Sequence, residues 1–204
     1  ARRLSVNYLN EYMGGIDTKS ARFKYLFRRL CTTVETLLTS LAAEFKNSEF
    51  VMTDFELKIG KNQDISPLSL KLTDGNVIEV YGKADRVDTC RIGEDVYIRV
   101  VDYKTGSKKF KLNDVLNGLS LQMLIYLFTI CENGKERYGG NTIPAGILYF
   151  PAKDPVFTLK RHLSQDEIKA KRQDDLKQNG LLLGDAEVLD KMEKGLNGIY
   201  IPVK

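Results

Sequence analysis

Between Ser20 and Phe45, apolar side chains recur at Phe23, Leu26, Phe27, Leu30, Val34, Leu37, Leu38, Leu41 and Phe45. Three-and-four spacing predicts one long amphipathic helix packed along a single face, about 40 Å long at 1.5 Å per residue. The period then shortens. Polar and apolar groups alternate from Glu49 to Ile59 around Phe50, Met52, Phe55, Leu57 and Ile59, which predicts a strand. Gly60 to Pro67 reads as a loop and Leu68 to Leu72 as a short strand. Asp74-Gly75 marks a turn before a strand from Val77 to Val87. Gly93-Glu94-Asp95 separates that strand from Val96 to Tyr103, giving an antiparallel meander. Asn113 to Cys131 is predicted to be a single helix, buried through Val115, Leu116, Leu119, Met123, Leu127 and Ile130. The apolar run Ile143 to Phe150, bounded by Pro144 and Pro151, predicts one more strand at the sheet. Ser164 opens a capping box with Glu167, and a polar helix should run to about Gln178 and stop near Gly180. Beyond it lie only two weaker apolar patches, so the tail reads as solvated periphery. The chain thus divides into a helical part (1–48), a sheet and helix core (49–160) and a peripheral extension (161–204).

Composition narrows the class. A chain of 204 residues with 43% hydrophobic and 28% charged residues suits one soluble globular domain. The net charge of +4 permits nucleic acid as a partner without identifying it. Cys31, Cys90 and Cys131 are far apart and form no CxxC, which argues against a disulfide framework or a self-contained metal–sulfur site. No apolar run approaches bilayer length and the N-terminus is not a signal peptide, so an intracellular, cytoplasmic protein is expected. The opening Ala-Arg-Arg-Leu, without an initiator methionine, reads as the middle of a longer polypeptide. No glycine-rich phosphate loop is present, which argues against ATP hydrolysis in this segment. His162, the only histidine, has no ligand-spaced companions.

Candidate chemistry concentrates between Gly82 and Tyr126, in G-K-A-D-R-V-D, V-D-Y-K-T-G and Q-M-L-I-Y. Asp85 and Asp102 are expected near the ends of two adjacent strands, where two unpaired carboxylates repel unless a cation compensates. Magnesium or manganese, with hard oxygen ligands, meets that need. Lys104, two residues after Asp102, falls on the same strand face. It is suited to orient an attacking water or to stabilise charge on a phosphate. The Tyr103 backbone carbonyl is a further candidate ligand. Gln122 and Tyr126 share a helical face and need polar partners if buried. Arg99, Lys108, Lys109 and Lys111 add positive charge, and the last three are candidate phosphate contacts. A plain alternative pairs Asp85 with Lys104 at the surface and leaves Asp102 to cap a turn. Asp88 reads as a partly exposed hairpin residue.

These motifs resemble the RecB-like branch of the PD-(D/E)XK nucleases. With the flanks S-A-R-F-K-Y-L, D-F-E-L and I-P-A-G-I-L-Y-F-P-A, the chain is similar to the C-terminal nuclease domain of AddB/RexB-type subunits over most of its length. The resemblance implies an α/β, restriction-endonuclease-like fold, a mixed central sheet flanked by helices. It also implies Asp85, Asp102 and the Tyr103 carbonyl as metal ligands, Lys104 as the catalytic lysine, and Gln122 and Tyr126 as the Gln-x-x-x-Tyr motif. The implied function is magnesium-dependent (or manganese-dependent) exonuclease cleavage of DNA during double-strand break repair and recombination, beside an AddA-type helicase–nuclease subunit. A catalytically degenerate DNA-binding scaffold that docks a helicase subunit is the alternative. Two family features have no counterpart in the sequence. An earlier helix normally supplies an acidic or histidine ligand, for which Glu35, Glu44 and Glu56 are the substitutes at hand. The iron–sulfur cluster expected in the full-length family member uses cysteines whose positions Cys31, Cys90 and Cys131 do not match.

Overall fold

Ser20 starts the long helix, its hydroxyl accepting the Phe23 N–H at 3.3 Å. In the computed structural model, which describes residues 2–106, 110–153 and 164–203, this helix is α2 (Ala21–Lys46), preceded by α1 (Arg2–Met13). Only part of its apolar face reaches the core. Leu37 and Leu41 pack there, whereas Tyr25, Leu26, Leu30 and Leu38 stay exposed.

The alternating segments become β1 (Val51–Ile59), β2 (Ser69–Lys71), β3 (Val77–Glu79), β4 (Gly82–Ile92) and β5 (Asp95–Lys104). The expected single strand from Val77 is therefore two. β3 closes a separate hairpin with β2 around Gly75, whose φ of +86° suits the turn, and the chain re-enters the main sheet at Gly82. The expected helix from Asn113 is also interrupted. Gly118 and Ser120, with φ of +76° and +57°, leave the helical basin and split it into α3 (Leu112–Leu116) and α4 (Gln122–Asn133). Leu116 and Leu119 consequently face solvent.

A short α5 (Lys135–Tyr138) leads into β6 (Asn141–Pro151), then α6 (Gln165–Leu176), β7 (Asn179–Leu182) and α7 (Ala186–Met192). The capping box at Ser164 and Glu167 is formed. The main sheet runs β1-β4-β5-β6-β7, parallel only between β5 and β6, where helices α3 to α5 provide the crossover a parallel pair requires. One face carries Val87, Ile98, Val100 and Ile147 against Met123, Leu127 and Ile130 of α4. The other carries Val101, Leu148 and Phe150 against α2 and α7. This is a mixed α/β fold with a central sheet flanked by helices, consistent with restriction-endonuclease-like architecture. The charged tail contributes more than its composition suggests: β7 extends the sheet, and Val188, Met192 and Ile201 are fully buried.

Candidate active site

β4 and β5 are paired from Ile92↔Asp95 to Arg86↔Val101 and then part. The two sequence-predicted carboxylates sit where they separate. Asp85 lies just beyond the last pair on β4; its Oδ2 accepts the Tyr103 N–H at 3.0 Å, so a side chain bridges the opening in place of the backbone ladder. The strand is irregular here. Ala84 and Val87, three residues apart, both enter the α4-side core, which a strand of strict period two does not allow. Across from Asp85, Glu56 holds a left-handed φ of +53°, a bend in β1 at the same level, and its carboxylate pairs with Lys83.

Asp102 and Lys104 share a face of β5, and the Lys104 Nζ lies 2.5 Å from Asp102 Oδ2. Their side chains keep 18% and 31% of their surface exposed, so the pair is sheltered yet reachable by a substrate. The parallel register sets Asp102 beside Tyr149 of β6, and the Lys104 ammonium stands 5.5 Å from that ring. Burial, and then the Asp102 charge, raise the Tyr149 phenol above its ordinary value.

Gln122 opens α4 and donates from Nε2 to the Tyr126 hydroxyl at 2.9 Å. Tyr126 is buried against Gly82, where an added Cβ would lie 2.2 Å from its Oη. The glycine that opens G-K-A-D thus lets the Gln-x-x-x-Tyr helix press on the strand carrying Asp85. Tyr149 and this role of Gly82 escaped the sequence reading; the Ile-Leu-Tyr-Phe run in β6 was the available signal for the first.

A model of the PD-(D/E)XK nuclease superfamily matches residues 4–198. The chain belongs to that superfamily. It is 37% identical over 192 residues to the B-type subunit of the ATP-dependent helicase/deoxyribonuclease of Thermoanaerobacter sp. (strain X514), a match covering 94% of the chain and 17% of the relative. Proteins of the same name from Clostridium kluyveri (36% over 190 residues, 93% and 16%) and Clostridium novyi (36% over 196 residues, 95% and 17%) are similarly related. The chain spans about a sixth of the length of these relatives.

Other sequence expectations need correction against this superfamily site. Arg99 adds no charge near a substrate: it is fully buried on the opposite face of the sheet, as is Asp88, which is no exposed hairpin residue. Glu44 is buried with them and Glu35 is exposed on α2, so neither joins Asp85 and Asp102. Lys104 pairs with Asp102 rather than with Asp85. Lys111 is exposed at the start of α3, while Lys108, Lys109 and His162 lie outside the described residues. All three cysteines are free and buried. Among the described residues no three His, Cys, Asp or Glu side chains converge, and no helix is long and apolar enough to cross a membrane.

The donor set nevertheless suits a hard cation. Asp102 Oδ2 is buried and has no hydrogen-bond donor among the described residues, only the Lys104 ammonium. Magnesium is commonly held by one or two carboxylates, with water and substrate phosphate completing its shell. Asp85, Asp102 and the Tyr103 carbonyl would hold it.

Proposed function

We propose that this chain is the nuclease part of a helicase–nuclease complex and hydrolyses DNA phosphodiesters as a magnesium- or manganese-dependent exonuclease in double-strand break repair and recombination. The carrying observation is the Asp85, Asp102 and Lys104 grouping at the parting of β4 and β5, in a chain of the nuclease superfamily. The names of the relatives support an AddA-type partner and a cytoplasmic setting.

Asp85 and Asp102 hold negative charge toward the opening, and a bound divalent ion supplies Lewis acidity and offsets charge on the phosphate. The Tyr103 N–H fixes the Asp85 carboxylate. Lys104, held by Asp102 and backed by the Tyr149 ring, carries an ammonium to orient water or stabilise phosphoryl oxygens. Gln122 and Tyr126 brace the strand and present an amide at its rim. Exposed Lys111, with Lys108 and Lys109, serves as a salt-sensitive contact to the DNA backbone.

A second reading, a catalytically degenerate DNA-binding scaffold, is favoured by one observation. Only two acidic side chains come from the described residues, and one is already ion-paired. Manganese titration of the wild type and Asp102→Ala, followed by cleavage of linear DNA by the wild type and Lys104→Ala, separates the readings. The nuclease reading expects metal binding lost in the first variant and cleavage reduced at least about a hundredfold in the second. Metal-independent DNA binding without cleavage would support the scaffold.

A further inference from the structure

The motifs G-K-A-D-R-V-D and R-V-V-D-Y-K contain three residues the proposed chemistry leaves unused: Arg86, Asp88 and Arg99. With Glu44 of α2 they form one cluster, each residue at most 1% exposed. Arg99 Nε donates to Asp88 Oδ2 at 2.8 Å and its Nη2 to Glu44 Oε1 at 2.8 Å. Arg86 Nη2 donates to Asp88 Oδ2 at 3.0 Å, and its Nε lies 3.0 Å from Oδ1 without the alignment of a hydrogen bond. Two guanidiniums and two carboxylates make the cluster neutral, which is what makes its burial tolerable. The rings of Phe45 and Phe50 lie against it, with Arg86 5.3 Å from the first and Arg99 5.0 Å from the second.

The cluster lies on the α2 side of the sheet and reaches the site through one residue. Arg86 Nη1 donates to the Tyr103 hydroxyl at 3.2 Å, and its guanidinium stands 5.6 Å from the Tyr103 ring. That ring meets Phe150 edge-on at 5.5 Å. The backbone of the same tyrosine donates to Asp85 and separates Asp102 from Lys104. β5 has left its β4 ladder here, so the Tyr103 side chain anchors the strand on that side where backbone pairing does not. We infer that Arg86, steadied by Asp88, Arg99 and Glu44, is a positioning residue that sets the Asp85–Tyr103 geometry from the far side of the sheet.

Stability alone accounts poorly for the cluster. Apolar groups of similar volume often replace buried ion clusters at no loss of stability. Here, moreover, Arg99 Nη1 is buried with no acceptor among the described residues, a standing cost. A cluster of this kind makes physical sense as a rigid template behind a site. The catalytic consequence rests on the nuclease reading; the geometric one does not.

The test replaces the cluster as a unit, Glu44→Leu with Arg86→Met, Asp88→Leu and Arg99→Met, and separately makes Tyr103→Phe, which keeps the ring and removes only the acceptor for Arg86. Thermal melting, amide hydrogen exchange at residue 103 and steady-state cleavage are measured. The expected result is a folded protein whose residue 103 amide exchanges at least about tenfold faster. With it, kcat falls about tenfold while KM stays within about twofold. Unchanged exchange in a folded cluster variant overturns the inference. Should that variant not fold, Tyr103→Phe decides alone, by the same exchange criterion. If the wild type does not cut DNA, the nuclease reading fails, while the exchange result still judges the positioning role.

Discussion

Asp54 on β1 shows how a single carboxylate ties distant segments together. It accepts from Arg137 Nη2 at 2.5 Å, Arg137 Nε at 3.2 Å and the Tyr138 hydroxyl at 2.9 Å. Burial alone would raise its carboxyl, but these hydrogen bonds and the Arg137 charge outweigh it and hold the group below its ordinary value. A folded-state value below the unfolded one gives stability that is complete above the unfolded value and is lost as pH falls through the folded one. Arg137 is partly exposed, so solvent screening keeps the contribution small. Asp54→Asn should therefore lower stability by about 1 kcal/mol at pH 7. The difference from wild type should shrink once pH drops below about 4. Urea unfolding at pH 7 and pH 3 checks both. The proposed site was legible at this scale, because D-x-K spacing alone places Asp102 and Lys104 on one strand face. The fates of Asp88, Arg99 and Glu44 were not. Burial of a charge depends on a partner far away in sequence, and Glu44 stands 55 residues from Arg99.

Between elements, the decisive contact is the one between α4 and β4. Gly82 leaves room for Tyr126, and any Cβ there would fall 2.5 Å or less from three atoms of that side chain. Gly82→Ala must push the first turn of α4 away from the strand carrying Asp85. It is expected to cost about 1–3 kcal/mol, as overpacking does. In the nuclease reading it also weakens manganese binding at the neighbouring carboxylates. Urea unfolding paired with manganese titration tests this, and a loss of metal affinity with unchanged stability would contradict the packing explanation. Hydrophobic period placed α2, β1, β5 and β6 to within a few residues because each is long and regular. It failed between Asn113 and Cys131, where leucines at helical spacing hid the turn at Gly118 and Ser120. It failed again at Val77, where β-rich composition continues across a change of sheet.

Considered whole, the molecule distributes charge and core unlike its sequence profile. Seven basic residues against two acidic ones fall in the first 34 positions, so the remaining 170 carry a net charge of −1 and the positive excess belongs to α1 and the start of α2. The C-terminal segment, polar on average, completes the core. β7 pairs with Gly146 to Tyr149 along the edge of β6. The Glu193 carboxylate, fully buried, accepts the N–H groups of Ile199, Tyr200 and Ile201 at 2.7, 3.0 and 3.0 Å, folding the last residues back onto Gln178. Val188, Met192 and Ile201 each lose nearly all contact with water, worth about 1.5–3 kcal/mol apiece. Together that is of the same order as the whole stability of an ordinary domain, about 5–15 kcal/mol. A chain ending at Gln178 should therefore lose its cooperative thermal transition, although every residue of the proposed site remains. A chain beginning at Lys19 keeps the Ser20 cap and gives up one fully buried large side chain, Leu9, so its transition should persist at a lower temperature. Calorimetry of the two truncations makes the comparison. A sharp transition in the chain ending at Gln178 would mean that the sheet of β1, β4, β5 and β6 folds without its C-terminal edge, and that the tail is the periphery its composition suggests.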